Sequence, residues 1–205
     1  WGGLVNVAAL VGTHSQIQFN NTWNRSADNT ARREVGVDEN TQATVQIDRL
    51  TYVERMVRAH QLRGEHQLGP RHTFEWNASA SAVSRSEPDR SEFVTWLDPQ
   101  LPIWFNDFEG AVRTFGSLDE TSNEAGVSYT LAFGSNPGSP SRIRTGAAWR
   151  STRRDATSQG FRIQAFEWSP TDPRWQAPPE EFFDGRHAGP EDQVFLLSRE
   201  LSGGS

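Results

Sequence analysis

An all-β chain, laid out as an antiparallel up-and-down meander of about six long strands, is the fold this sequence predicts. Three observations predict it. Apolar and polar residues alternate over one stretch after another. Short connections rich in turn formers take turns with long polar ones. No run approaches the roughly 18 apolar residues of a membrane helix.

The strands are expected at about 3–12, 14–30, 50–69, 71–90, 122–134 and 141–168, each placed by its alternation. In "LVNVAALVG" both faces are apolar except for Asn6, so this strand's orientation is the least determined. "SQIQFNNTWN" sets Ile17, Phe19 and Trp23 against Gln16, Gln18, Asn20 and Thr22. "HQLRGEHQL" is weaker: Leu62, Leu68, Gly64 and two histidines oppose Gln61, Arg63, Glu65 and Gln67. "RHTFEWNASASAVS" alternates almost without fault, with Phe74, Trp76 and alanines on one face and Thr73, Glu75, Asn77 and serines on the other. "GVSYTLAFG" sets Val127, Tyr129, Leu131 and Phe133 against Ser128, Thr130 and Ala132. "RIRTGAAWR" sets Ile143, Ala147 and Trp149 against Arg142, Arg144 and Arg150.

The connections carry the next step. Residues 12–14, 68–72 and 134–141 are short and rich in Gly, Pro and Ser. Residues 27–48, 87–122 and 169–205 read as long polar loops. Loops beyond about 12–15 residues are uncommon in compact soluble domains, whereas transmembrane barrels pair short turns at one end with long loops at the other. Three arginines on one strand face suit a water-filled lumen or an exposed sheet face better than a core. The pattern therefore favours an open section of a large transmembrane β-barrel, and leaves an amphipathic soluble sandwich as the alternative.

Composition narrows the function. The formal net charge of -6 gives no basic footprint for nucleic acid. The absence of Cys excludes disulfides and thiol catalysis. Mean hydropathy is -0.68, low for a packed soluble domain. No glycine-rich phosphate loop or Gly-x-Ser-x-Gly elbow occurs. Asp98, Asp107, Glu109, Asp119 and Glu120 offer carboxylates for sugar hydrolysis, but nothing in the sequence positions a pair, and they read as solvated loop acids. His60, His66 and His72 do not converge as metal ligands must, and read as rim positions. The loop "TWLDPQLPIWFNDFEG" is the best candidate for ligand contact, through Trp96, Trp104, Phe105 and Phe108. The competing and favoured reading is that these aromatics pack the loop against its neighbours. "EEFFDGRH" at 180–187 carries the same ambiguity.

Read together, several strings resemble TonB-dependent outer-membrane receptors. "LTYVERMVRAHQLRGEHQLGPRHTFEWNASASAVSRSEPDR" resembles two adjacent barrel strands. "THSQIQFNNTWNRSADNTARREVG" is similar to a strand leaving its periplasmic turn, and "RIRTGAAWRSTRRDATSQGFRIQAFEW" to a later strand running far past the membrane. "PPEEFFDG" is similar to the loop that follows. The resemblance covers nearly the whole chain, in order. It implies that residues 1–205 are a partial barrel domain of a family with about 22 strands and a plugged lumen. It also implies uptake of a scarce nutrient, of metal-chelate or glycan type, in the bacterial outer membrane. The implied partners are outer-membrane lipid, a surface lipoprotein and the TonB complex, reached through parts of the protein outside this chain. Phe74, Trp76, Tyr129, Leu131, Phe133 and Trp149 are then expected to face lipid, and Glu75, Asn77, Arg142, Arg144 and Arg150 the lumen. No catalysis, cofactor or metal is expected. Two competing readings are a soluble β-sandwich that binds carbohydrate through loop aromatics and, more weakly, a secreted hydrolase. On the barrel reading Phe74, Trp76, Tyr129 and Trp149 should be solvent-exposed, with no second sheet over them.

Overall fold

The computed structural model describes residues 1–39, 42–97, 102–104, 110–134, 141–166, 169, 171–183 and 194–200. Eight strands form one open sheet: β1 (Gly2–Val11), β2 (Ser15–Val37), β3 (Thr44–Gln67), β4 (His72–Leu97), β5 (Pro102–Trp104), β6 (Ala111–Phe133), β7 (Ser141–Ala165) and β8 (Phe195–Glu200). Their order is β1-β2-β3-β4-β6-β7-β8, with β5 paired to β4. The fold is all-β, and six of the strands are the expected long ones.

Register follows from the turns. β1 and β2 pair antiparallel from Gly2 opposite Asn24 to Val11 opposite Ser15. Gly12 closes that hairpin at φ 66°, in the left-handed region that a residue without Cβ enters freely. Gly69 and Gly134, at φ 104° and 111°, serve the other two short connections. β8 returns antiparallel along the end of β7, from Gly160 opposite Glu200 to Ala165 opposite Phe195.

Two of the expected long loops are corrected. Most of residues 27–48 and 87–122 is strand, because β2 runs on to Val37, β3 begins at Thr44, β4 reaches Leu97 and β6 begins at Ala111. The turn between β2 and β3 is short, with the Asp38 N–H donating to Ala43 O and the Gln42 N–H to Asp38 O. These segments are rich in charge rather than apolar residues, and cross-strand pairs support them. Arg33 Nε donates to Asp48 at 2.6 Å, Arg49 Nε to Glu92 at 2.6 Å, and Arg113 pairs with Asp89. Opposite charges across a ladder stabilise it modestly, and such strands need no apolar face. β5, β8, a 3₁₀ turn at Pro173–Gln176 and the short helix α1 (Pro179–Phe182) lie where the sequence reads as loop.

The chain divides into two compact units, and five strands contribute to both. Unit 1 comprises Trp1–Ser26, Arg55–Arg85 and Leu118–Ala156. It is a single layer of sheet: among its described residues only Gly64 is buried. Unit 2 comprises Ala27–Glu54, Ser86–Ser117 and Thr157–Ser205. It has a core of Phe93, Trp104, Ala111, Ile163, Ala165, Trp175, Val194 and Phe195, with Phe183 packed against it.

Candidate functional site

In unit 1 the alternation of the sequence becomes two faces of different chemistry. On one, Glu75 of β4 sits among donors from three other strands. Arg144 of β7 donates to it at 2.6 Å, Ser128 of β6 at 3.1 Å, and Arg63 of β3 lies at 3.4 Å. Arg144 also donates to Ser128 Oγ at 2.9 Å. Asn20 of β2 donates to Gln61 at 3.0 Å, and Arg150 pairs with Glu124. A shallow cavity of about 450 Å³ opens here, lined by Gln61, Arg63, Glu75, Asn77, Ser128 and Arg144. Its floor exists because glycines leave room. A Cβ on Gly126 would stand 2.7 Å from Asn77 Oδ1, and one on Gly146 would stand 2.6 Å from the Val127 carbonyl.

The other face is apolar and aromatic. The Trp76 indole N–H donates to His66 Nε2 at 2.9 Å, and the two rings stack with centroids 6.5 Å apart. His66 Nε2 is therefore an acceptor, and its Nδ1 lies 2.9 Å from Ser15 Oγ. The indole fills the space above Gly64, where any Cβ would overlap it. Gly64→Ala is expected to expel the ring and lower stability by about 1–3 kcal/mol, the usual cost of overpacking. A urea titration followed by tryptophan fluorescence measures it, and a change below about 0.5 kcal/mol would show that the ring does not sit there.

The expected lumen residues fall as follows. Glu75, Asn77 and Arg144 line the cavity, Arg150 joins Glu124 on β6, and Arg142 is exposed near the start of β7. Among the expected lipid-facing residues, Trp149 is 58% exposed and Phe133 is exposed. The expectation of exposure is corrected for Phe74, Trp76 and Tyr129, which are half-buried, as is Leu131. The cause is lateral packing within the sheet: Phe74 and Trp76 stack on His66, and the Tyr129 hydroxyl bonds His72 Nδ1. Neither a second sheet nor the core of unit 2 includes them.

The expected ligand-contact aromatics fare differently. Trp104 is corrected: it is 1% exposed, packs on Phe93 and Trp175, and donates its indole N–H to Gly110 O at 2.9 Å. Trp96 is half-buried opposite Ile103. Phe105 and Phe108 lie outside the described residues, as do Asp98, Asp107 and Glu109. Asp119 is exposed, and Glu120 lies 3.8 Å from Arg154. Of "EEFFDGRH", Phe183 packs on the core of unit 2. Among the described residues no three carboxylate or imidazole groups converge on a metal site. A second cavity, about 850 Å³, lies within unit 2 between Arg33, Asp48, Arg49, Arg113 and Phe183. Near it Asp172 caps the 3₁₀ turn, and its carboxyl is held below the usual carboxylate range by hydrogen bonds from the Arg174 side chain and backbone.

Sequence reasoning missed Arg63, Ser128 and the two cavity-floor glycines as members of the Glu75 cluster. A glycine inside an otherwise regular strand is a signal of close approach, and it was present at Gly126 and Gly146. Comparison of the chain with known protein families, and with curated proteins, finds no match to either.

Proposed function

We propose that the chain is a section of an outer-membrane β-barrel of the TonB-dependent receptor type, serving uptake of a scarce nutrient such as a metal chelate or a glycan. The observation that carries this reading is unit 1: a sheet one layer thick, with an apolar face over which no second sheet of described residues lies and a polar face whose charges pair across strands. Val5, Val7, Val11, Val127, Ile143 and Trp149 are all exposed on it. Contiguous apolar surface of this kind marks a partner or a membrane. The strand lengths agree with a bilayer. A tilted transmembrane strand needs about 9–11 residues, and unit 1 takes somewhat longer segments, such as Arg55–Gln67 of β3 and Leu118–Phe133 of β6. No described helix is long and apolar enough to cross a membrane, which says nothing of strands.

On this reading lipid covers the Val127 and Trp149 face. The Glu75, Arg63 and Arg144 cluster belongs to the aqueous interior, where its charges cost little. Energy for transport comes from the TonB complex, and a surface lipoprotein is a further partner. The residues act by binding and by wall charge, without chemical catalysis. The soluble-sandwich alternative needs a second sheet to bury Phe74, Trp76 and Trp149, and all described strands belong to one sheet.

The test uses single cysteines, which the Cys-free chain allows. A fluorophore is placed in turn at Val127, Ser128, Tyr129 and Thr130, with the protein in micelles that carry a lipid-borne quencher. Quenching is expected at 127 and 129, and not at 128 and 130. Equal water accessibility at all four positions would overturn the membrane reading.

A further inference from the structure

The cavity of about 850 Å³ in unit 2 has two walls of different origin. One is the sheet, with Arg33 of β2, Asp48 and Arg49 of β3, Glu92 of β4 and Arg113 of β6. The other is the segment from Trp175 to Phe183, which follows β7. That segment is anchored in the core. The Trp175 ring is 5.4 Å from Trp104, and Phe183 meets Phe93 edge-on at 5.6 Å. The Asp172 cap closes the turn that carries Trp175. The cavity is therefore built into the folded unit, and its volume falls inside the roughly 300–1,000 Å³ of ligand pockets. None of its lining residues belongs to β1 or β8, the strands at the two ends of the sheet.

Its chemistry is divided. Leu97, Pro178, Pro179 and Phe183 supply apolar surface. Much of the polar lining is a set of ion pairs already made. Arg33 donates to both oxygens of Asp48, at 2.6 and 3.2 Å, and Gln46 donates to the same carboxylate at 2.8 Å. Arg49 donates to Glu92 at 2.6 Å and to Glu34 at 3.4 Å. Arg113 pairs with Asp89. Arg33 is held protonated first by its hydrogen bond with Asp48, and also by the charge of Glu180 on α1. A guanidinium carries more N–H donors, and a carboxylate more lone pairs, than these bonds use. The lining thus presents spare donors and spare acceptors side by side, with guanidiniums and carboxylates in near balance.

We infer that this cavity binds a neutral saccharide, with its C–H face against Phe183 and the two prolines and its hydroxyls across the arginine–carboxylate pairs. Charge decides among the ligands. An anion meets Asp48, Glu92 and Glu180, and a cation meets Arg33, Arg49 and Arg113. Either has to break an ion pair already formed, and a partner left without its opposite charge is costly. A hydroxyl donates to a carboxylate and accepts from a guanidinium, so it uses the spare sites and leaves each pair intact. A sugar ring also carries an apolar face, which a purely polar solute lacks, and an apolar pocket with a few placed polar groups suits such a molecule. Trp104 then supports the site from within the core and does not touch the ligand, being 1% exposed. The inference rests on the transport reading for its consequence, that the nutrient is a glycan. The binding itself is a property of unit 2 and needs no membrane.

The experiment is a calorimetric titration of the full chain, in a detergent without a sugar headgroup. The probes are maltotriose, cellotriose, xylotriose and mannotriose, with trigalacturonate as the anionic and the glucosamine trimer as the cationic counterpart. At least one neutral trisaccharide is expected to bind with a Kd of about 1 mM or tighter, and both charged trimers at least about tenfold more weakly. Its affinity should stay level as the screening length is cut from about 10 Å to about 3 Å. Ala177→Trp, which fills the cavity from its second wall, should weaken that binding at least about tenfold, and Glu92→Gln, which removes acceptor capacity at nearly constant shape, by about tenfold. Glu92→Gln carries the result where Ala177→Trp folds poorly. Tighter binding of either charged trimer would overturn the inference, as would no binding by any neutral trisaccharide, or binding that both variants leave unchanged. The membrane reading stands or falls separately. Neutral-sugar binding with equal accessibility at positions 127–130 would keep this site and sink the membrane, and alternating quenching without sugar binding would do the opposite.

Discussion

Trp104→Ala is expected to destabilise unit 2 by about 3–5 kcal/mol, the range for removing a buried aromatic. The side chain is 1% exposed and stands at the centre of the core. Its ring lies 5.9 Å from Phe93, 5.4 Å from Trp175, and edge-on to Phe183 and Phe195 at 6.2 Å each. These partners come from β4, β8, the 3₁₀ turn and the residue after α1, so one cavity loosens four elements. The indole N–H also donates to Gly110 O inside the core, and alanine leaves that carbonyl with the Val94 N–H as its remaining donor. Trp104→Phe keeps most of the ring and loses the donor, so it should cost about 1–3 kcal/mol. Trp96→Ala, on a half-buried ring in the adjacent pair of the same ladder, should cost less than Trp104→Ala. Denaturant titration of all three measures the order. A cost below about 1 kcal/mol for Trp104→Ala would mean that this core does not hold unit 2 together. A selective loss of ligand binding with unchanged stability would return Trp104 to the role the sequence suggested.

The difference between Trp104 and Glu75 shows what was legible in the sequence. Alternation assigns a face, and a face is a local property. Phe74 against Glu75, Ile143 against Arg144 and Val127 against Ser128 were therefore separable by inspection, and the structure gathers Glu75, Ser128 and Arg144 into one cluster. What alternation does not encode is partnership across strands. Nothing local links Arg63 to a glutamate twelve residues on, or Arg49 to Glu92. For the same reason the charged ends of β2, β3, β4 and β6 read as loops. Their support is the cross-strand ion pair and the backbone ladder, and neither leaves an apolar signature. Trp104 sits in a three-residue strand beside proline, too short for any period to show. Its role is set by Trp175, Phe183 and Phe195, which are distant in sequence.

Val127→Arg separates membrane from water most sharply. Val127 is 49% exposed on the apolar face of β6, and it lies well inside the strand, six residues from its end at Phe133. Its carbonyl stands close to Gly146 of β7, so it also lies inside the sheet. In water an arginine at a half-exposed valine should change stability by no more than about 0.5 kcal/mol. On the lipid face of a barrel, near the bilayer midplane, it should cost about 2–4 kcal/mol. The cost should fall towards the strand ends, because a guanidinium there reaches the headgroups. Ile143→Arg, two residues into β7, should therefore cost only about 0–1 kcal/mol. Thr130→Arg, on the polar face of β6, should cost less than Val127→Arg at a similar depth, since it meets water. The measurement is equilibrium unfolding in urea from lipid vesicles, with the same variants compared in a mild detergent. A graded series, large at 127 and small at 143 and 130, is the signature of a slab of hydrocarbon against one face. A flat series would mean that water bathes both faces. The apolar strip from Val7 to Trp149 would then have to be covered by protein, with each arginine costing whatever that partner's packing loses.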